Sequence, residues 1–296
     1  MPDHYLTPEQ LTDALGGEWR GNVGRAPCPA HDGGDNNLAI SHGNNGIPVM
    51  HCHSHGCEFR DITEALRQRG LWSGKPDDNW TPPSPAQRAE NRRRQAQDEA
   101  QRVAKAKEQW ASSQRLDGTL GDRYLYRTRG RDGRGIPDLR FHPRIYYTTT
   151  EWAPAMIAAV RNVVTGQFQG VHRTFLNEDG TKHANARTVK GIAYHGAIML
   201  DPFDAVTTGL SICEGIEDGL AIRKHQTPVW AMLNKNNIAD LPVLNGIEHL
   251  TIFADRDADD GGLDAAKMCR RRWRNAGVEV TILLPIGGKD ADEVLA

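Results

Sequence analysis

The sequence carries no membrane or export signal. No apolar stretch approaches the ~20 residues a membrane span needs. Met1-Pro2-Asp3-His4-Tyr5 has no basic cluster leading into an apolar run, as a secretory leader would. A cytoplasmic protein is therefore expected. There is no internal repeat and no Gly-x-x-x-x-Gly-Lys-Ser/Thr loop, so a P-loop ATPase is not expected. Net charge is also small, with 36 Lys and Arg against 38 Asp and Glu over 296 residues. Cysteine is scarce and odd in number, five in all, which argues against a disulfide framework in a chain without an export signal. The length suits about two domains.

What charge there is lies unevenly. From Ala86 to Arg144 there are 15 basic and 8 acidic residues, and from Asp201 to the end 10 basic and 16 acidic. Local charges of +7 and −6 would suit a protein that holds a polyanion in one place and divalent cations in another.

The pattern predicts an α/β, multi-domain chain. Thr7-Pro8-Glu9-Gln10 reads as a capping box opening a helix, and Asp61-Ile62-Thr63-Glu64 as another. Between them, short extended pieces at Leu38–Ser41 and Pro48–His51 make a loop-rich module over residues 1–72, too small for an apolar core alone. Four prolines within 73–85 read as a linker. Residues 86–200 combine a long basic helix, Ala86–Gln114, with an α+β segment whose strands include Ala155–Val164 and Phe168–Leu176. In 201–296 buried-strand runs alternate with helices: Gly209–Cys213, Thr227–Met232, His249–Ala254 and Val278–Leu284, with Ile216–His225 and Gly262–Asn275 helical. Such alternation implies a parallel sheet covered on both faces.

Two groups of residues carry chemistry. Cys28-Pro-Ala-His31 and Cys52-His53-Ser54-His55-Gly56-Cys57 bring two close pairs of soft ligands to either side of a hairpin. Zn²⁺ takes four N or S ligands as two such pairs in structural sites, and Cys28, His31, Cys52 and Cys57 meet that need. The four-residue gap in the second pair leaves His53 or His55 as substitutes. In the C-terminal part, Glu214 directly follows one strand run and Asp255-Arg256-Asp257 another, while Asp290-Ala291-Asp292 follows the last. In an open parallel sheet the carboxyl ends of the strands share one rim. Carboxylates gathered there repel unless cations neutralise them, and hard oxygen ligands favour Mg²⁺. Asp260 and Asp264 are expected to cap a helix, and Cys213 and Cys269 to pack.

The run Glu214-Gly-Ile-Glu-Asp218, with Asp255-Arg-Asp257 and Lys289-Asp290-Ala-Asp292, resembles the Toprim domain of bacterial and phage primases, topoisomerases and some nucleases. Cys28-x-x-His31…Cys52…Cys57 is similar to the zinc ribbon that precedes Toprim in bacterial-type primases, and Gly170-Val-His-Arg173 through Gly180 resembles the phage and plasmid members. The resemblance implies a small zinc-ribbon module, a mixed middle subdomain and a Rossmann-like catalytic sheet. It implies synthesis of RNA primers from NTPs on single-stranded DNA, with structural Zn²⁺ and catalytic Mg²⁺ or Mn²⁺. Glu214, Asp255 and Asp257 would be catalytic, and Asp218, Asp290 and Asp292 would complete the Mg²⁺ shell. Arg173, Lys182, Arg187 and Lys190 are candidates for gripping triphosphate or template. Tyr124, Tyr126, Phe141, Tyr146 and Tyr147 are candidates for base stacking or core packing. The chain ends at Ala296, just past the last carboxylate motif, so a replicative helicase is expected either as a separate protein or as a further part of a longer one. Localisation would be cytoplasmic in a bacterial host. Another Toprim enzyme (nuclease or topoisomerase-like) and a non-catalytic zinc and Toprim recombination mediator are the alternatives. The first usually accompanies an ATPase or a strand-passage domain with a nucleophilic Tyr. The second places a helix-hairpin-helix before four cysteines.

Overall fold

A computed structural model describes residues 6–31, 36–43, 47–52, 57–72, 85–147, 150–257 and 260–295. His53 and His55, the substitute zinc ligands, and residues 73–84 of the expected linker lie outside the described residues. The chain forms two compact units, Met1–Pro85 and Ala86–Ala296. Among the described residues no helix is long and apolar enough to cross a membrane.

In the first unit, helix α1 (Pro8–Ala14) starts at the expected capping box: the Gln10 amide donates to Thr7 Oγ1 at 3.2 Å and the Thr7 amide to Gln10 Oε1 at 3.0 Å. Strands β1 (Glu18–Arg20), β2 (Val23–Ala26), β3 (Leu38–His42) and β4 (Pro48–Cys52) follow as an antiparallel meander, and α2 (Phe59–Gln68) closes the unit. Period-two burial along β4 turns Met50 and Cys52 inward, towards Leu11, Leu38, Ile40, Ile62 and Leu66. The second capping box does not form. Helix α2 begins two residues before Asp61, at Phe59, without a side-chain cap, because burying Ile62 and Leu66 sets the helix phase.

The second unit begins with helix α3 (Pro85–Ala111), which stops three residues before the expected Gln114. Strand β5 (Gln114–Arg115), helix α4 (Leu120–Arg123) and a π-helical turn, Tyr124–Thr128, lead into the long antiparallel strands β6 (Leu139–Tyr146), β7 (Trp152–Asn162), β8 (Phe168–Leu176) and β9 (Lys182–Gly191). Strand β10 (Gly196–Met199) joins these to the parallel part of the sheet by pairing antiparallel with both β7 and β12 (Val229–Ala231). There β11 (Gly209–Cys213), α5 (Ile216–Arg223), β12, α6 (Lys235–Ala239), β13 (His249–Phe253), α7 (Gly261–Asn275), β14 (Glu279–Leu283) and α8 (Ala291–Val294) alternate as expected. The order β14-β13-β11-β12 is parallel throughout. Leu210, Ile212, Trp230 and Ile252 pack with Cys269 and Trp273 of α7 on one face; Val229 and Ala231 pack with Leu220 and Ile222 of α5 on the other.

That order has a consequence for function. The second strand (β12) lies to one side of the first (β11) and the third (β13) to the other, so the direction of winding reverses between β11 and β13. A crevice opens at such a switch point, outside the carboxyl ends of the strands.

Candidate active site and metal centre

The residues that leave β11 and β13 at this switch point are acidic. Glu214 is the first residue after β11, and Gly215 then caps α5 in an extended conformation. A Cβ at Gly215 would stand 2.7 Å from Asp218 Oδ2, so the missing side chain lets the Asp218 carboxylate fold back over the helix start. After β13 the chain continues through Ala254 to Asp255, and a Cβ on Gly262 of α7 would come 2.7 Å from the Asp255 carbonyl. Asp290 caps α8, accepting from the Glu293 amide at 3.0 Å.

Backbone contacts tie the three segments together. The Asp292 amide donates to Asp218 Oδ1 at 2.9 Å, and the Arg256 amide to the Lys289 carbonyl at 2.8 Å. Lys289 Nζ lies 3.6 Å from Asp257. Asp255 and Asp218 also line one cleft of about 350 Å³ with Cys213, Phe253, Pro285 and Ala291.

The charges sense one another. Burial, then Asp218, Glu214, Asp290 and Asp257, push the Asp255 carboxyl up to about 7. Burial pushes Asp218 up to about 6, with Asp290, Glu217 and Asp292 adding to it against the opposing Asp292 amide. Burial and Asp257 raise Glu214. A hard divalent cation is the species that stabilises such a group, because it favours the ionised form of every member together.

Asp292 has other partners. Arg131 Nε meets its Oδ1 at 2.7 Å and Arg129 Nη2 its Oδ2 at 2.5 Å. Arg131, only 2% exposed, also donates to the Asp292 and Leu295 carbonyls. Its guanidinium thus clamps α8 and, through the Asp292 amide, holds Asp218. So engaged, Asp292 fixes the rim through α8. Sequence reasoning missed this clamp, since Arg129 and Arg131 sit in the basic stretch and nothing local marks them.

It also gave Glu217 no part in the site. Glu217 is buried, accepting from the Tyr124 hydroxyl at 2.6 Å and from Arg187 Nη2 at 3.0 Å, with Lys182 Nζ at 3.9 Å. Burial would raise its pKa, but Arg187, the Tyr124 hydroxyl and Lys182 hold it at about 2. Tyr124 is therefore a buried hydrogen-bond donor, and Phe141 is core. Nor do the expected acidic caps of α7 form: Asp260 is left-handed (φ 54°) with no side-chain bond, and Asp264 pairs with Lys267. Cys213 and Cys269 are buried, and burial raises both thiols, Cys269 to about 12.

The four basic candidates divide between the faces of the β8–β9 hairpin. Lys182 pairs with Leu176 and Arg187 with Thr174, on the face towards Glu217. Lys190 pairs with Val171, which packs with Ala106 of α3; Arg173, also odd-numbered on β8, shares that opposite face.

In the first unit, the ligand atoms of Cys28, His31, Cys52 and Cys57 all lie within 4.8 Å of one another. His31 Nδ1 is 3.3 Å from Cys57 Sγ and 3.8 Å from Cys52 Sγ. Burial and the neighbouring thiols push Cys57 up to about 12, and burial raises Cys28. Three thiols and an imidazole at this spacing match the soft four-ligand set of a closed zinc site, and a bound cation would ionise the thiols.

Residues 209–296 match the Toprim domain family, and residues 100–198 match a domain of unknown function, DUF7146. No curated protein matches the chain. Among solved structures it is similar to the zinc-binding and RNA polymerase domains of Aquifex aeolicus primase (16% identity, TM-score 0.46, over 96% of this chain and 78% of that one). A second similar chain comes from the bacteriophage T7 assembly of lagging-strand DNA polymerase with primase domains, an RNA/DNA hybrid and dTTP (15%, TM-score 0.35, over 57% and 77%).

Two outcomes are expected. Chain purified with zinc present should carry one zinc ion by plasma emission spectroscopy, and Cys52→Ser should lose it together with the order of the first unit. Arg131→Ala should destabilise the second unit by about 3 kcal/mol in urea, because it leaves the buried Asp292 with one of its two cations.

Proposed function

We propose that the chain is a DNA primase that makes short RNA primers from NTPs on single-stranded DNA by Mg²⁺-dependent nucleotidyl transfer. The observation that carries this reading is the shared field of Glu214, Asp218, Asp255, Asp257 and Asp290 at the switch point of a Toprim sheet. Five carboxylates from three strand ends, with Glu214, Asp218 and Asp255 raised by burial and by their neighbours, suit phosphoryl-transfer chemistry better than any structural task. Cations so close to them at Lys182 and Arg187 suit a polyanionic substrate.

The fit to Mg²⁺ rests on an all-oxygen donor set opening on a cleft. Glu214, Asp218, Asp255, Asp257 and Asp290 would hold it, and Asp292 would contribute by fixing α8. Bound there, Mg²⁺ would polarise the α-phosphate, favour the 3′-alkoxide and offset charge on the leaving pyrophosphate. The protein's own groups do the rest. Glu214, raised by burial, is suited to take the proton of the attacking hydroxyl. Lys182 and Arg187 meet phosphate oxygens; the Arg187 fork is partly exposed beyond its bond to Glu217 and can bind bidentately. Glu217, held ionised, keeps that fork in place. Arg173 and Lys190, on the other face of the sheet, are assigned no contact with reacting phosphates. The Cys28, His31, Cys52 and Cys57 cluster is read as a structural zinc, and the first unit as the module that reads template in a bacterial host. A replicative helicase is the expected partner.

Full chain given single-stranded DNA, labelled NTPs and Mg²⁺ should yield short RNA. Asp255→Ala should abolish synthesis without loss of melting temperature or zinc content; synthesis retained in that variant would place the chemistry elsewhere. A second outcome concerns pH. Asp255 has a folded pKa of about 7 against 3.8 for the free group, so its contribution to stability is present below pH 4 and lost as pH rises through 7. Mg²⁺ should therefore raise the melting temperature more at pH 8 than at pH 6, and an equal shift at both would contradict the assignment.

A further inference from the structure

The β6–β7 hairpin carries a pair of aromatic rings that the site described above does not use. Tyr146 and Trp152 stand directly opposite across the hairpin, with ring centroids 3.5 Å apart and planes inclined by 32°. Directly paired rings of this size usually serve to bury one another, yet these remain 51% and 44% exposed. Arg144 lies over the Trp152 ring at 5.2 Å, and among the described residues it has no carboxylate partner. Arg173 Nη1 donates to the Tyr146 carbonyl at 3.3 Å and so pins the strand beneath the pair.

Other exposed aromatics lack this setting. Tyr126 lies under Arg134, but that guanidinium is already neutralised by Asp122 and Asp132. Tyr194 stacks on His195 with its centroid at 3.9 Å and has no guanidinium over it.

The pair also has a defined side. Register shifts on β6 between His142 and Ile145, while β7 runs on from Trp152 to Met156 with one residue, Pro154, against the two extra residues of β6. Alternation along β7 therefore puts Trp152 on the face of Met156, whose β8 partner Thr174 pairs with Arg187. The rings and the phosphate-facing guanidinium share one face, with Trp152 about 13 Å along β7 from the Met156 row.

We propose that Tyr146 and Trp152 form a stacking platform for a base of the single-stranded DNA template, with Arg144 meeting the adjoining phosphate. A base offers a π-face to an exposed ring whatever its identity, and an unpaired guanidinium beside the ring complements the backbone charge. The proposal rests on the primase reading for the identity of the strand. Sequence patterning put Tyr146 among five stacking candidates and passed over Trp152; the hairpin register joins them.

The test is a fluorescence anisotropy titration of labelled single-stranded DNA with full-length chain at several salt concentrations. Trp152→Ala should bind about tenfold more weakly with an unchanged salt slope, since a stack and no phosphate contact is lost. Trp152→Phe should stay within about twofold of wild type, which also shows that the position tolerates change. Arg187→Ala should weaken binding and flatten the salt slope. Wild-type affinity in a folded Trp152→Ala, with Arg187→Ala still impaired, would overturn the platform, hand the pair to a protein contact and leave the primase reading standing. A wild-type chain that fails to bind single-stranded DNA at all would overturn both.

Discussion

The rest of the structure depends on holding several carboxylates within one another's field at a rim partly shut off from water. Glu214, Asp218 and Asp255 are each more stable protonated than they would be in free solution, Asp255 up to about 7. Mutual repulsion of this kind disperses a flexible set of side chains. Here the backbone prevents dispersal: parallel strands end at one level, and the β11–α5 and β13–α7 connections leave Glu214 and Asp255 at adjacent strand ends.

Several features serve that constraint. Gly215 and Gly262 remove the side chains that would force Asp218 and the Asp255 backbone outward. Helix α8 is a single turn, too short to hold itself, and the buried Arg131 guanidinium fixes it by reaching Asp292 and the Leu295 carbonyl. Beside the acidic group a second set gathers Arg187, Lys182 and the Tyr124 hydroxyl around the single Glu217 carboxylate, with one cation in excess. The rim thus combines an acidic patch with an excess of carboxylates over its cation Lys289, and a compensated one that orders the basic groups. That division is the electrostatic pattern the proposed polyphosphate substrate and its metal would need together.

Much of this was legible in the sequence, for a physical reason. In the parallel part the inner strands are buried along most of their length and read as apolar runs, as in Gly209–Cys213 and His249–Phe253. An acidic residue just after such a run therefore marks a strand end. The Cys and His pairs were legible because few other residue types can replace a soft ligand, and Cys28, His31, Cys52 and Cys57 do come together. Strand β9 was not foreseen: Lys182–Gly191 is largely polar because one of its faces meets Glu217. The side taken by Lys182 was also hidden: alternation along β9 would put it with Lys190, and the register shift between Thr174 and Leu176 puts it with Arg187. The clamp on Asp292 was hidden because its partners Arg129 and Arg131 lie more than 160 residues away in the chain.

The central claim is that the rim carboxylates form one coupled group. Titration of metal-free protein carrying ¹³C-labelled aspartate, followed by carboxyl NMR, tests it directly. The account predicts that Asp255 titrates near pH 7 and that Asp218→Asn moves its midpoint down, because one of the charges raising it has gone. An Asp255 midpoint near the ordinary value for aspartate, unmoved by that substitution, would contradict it.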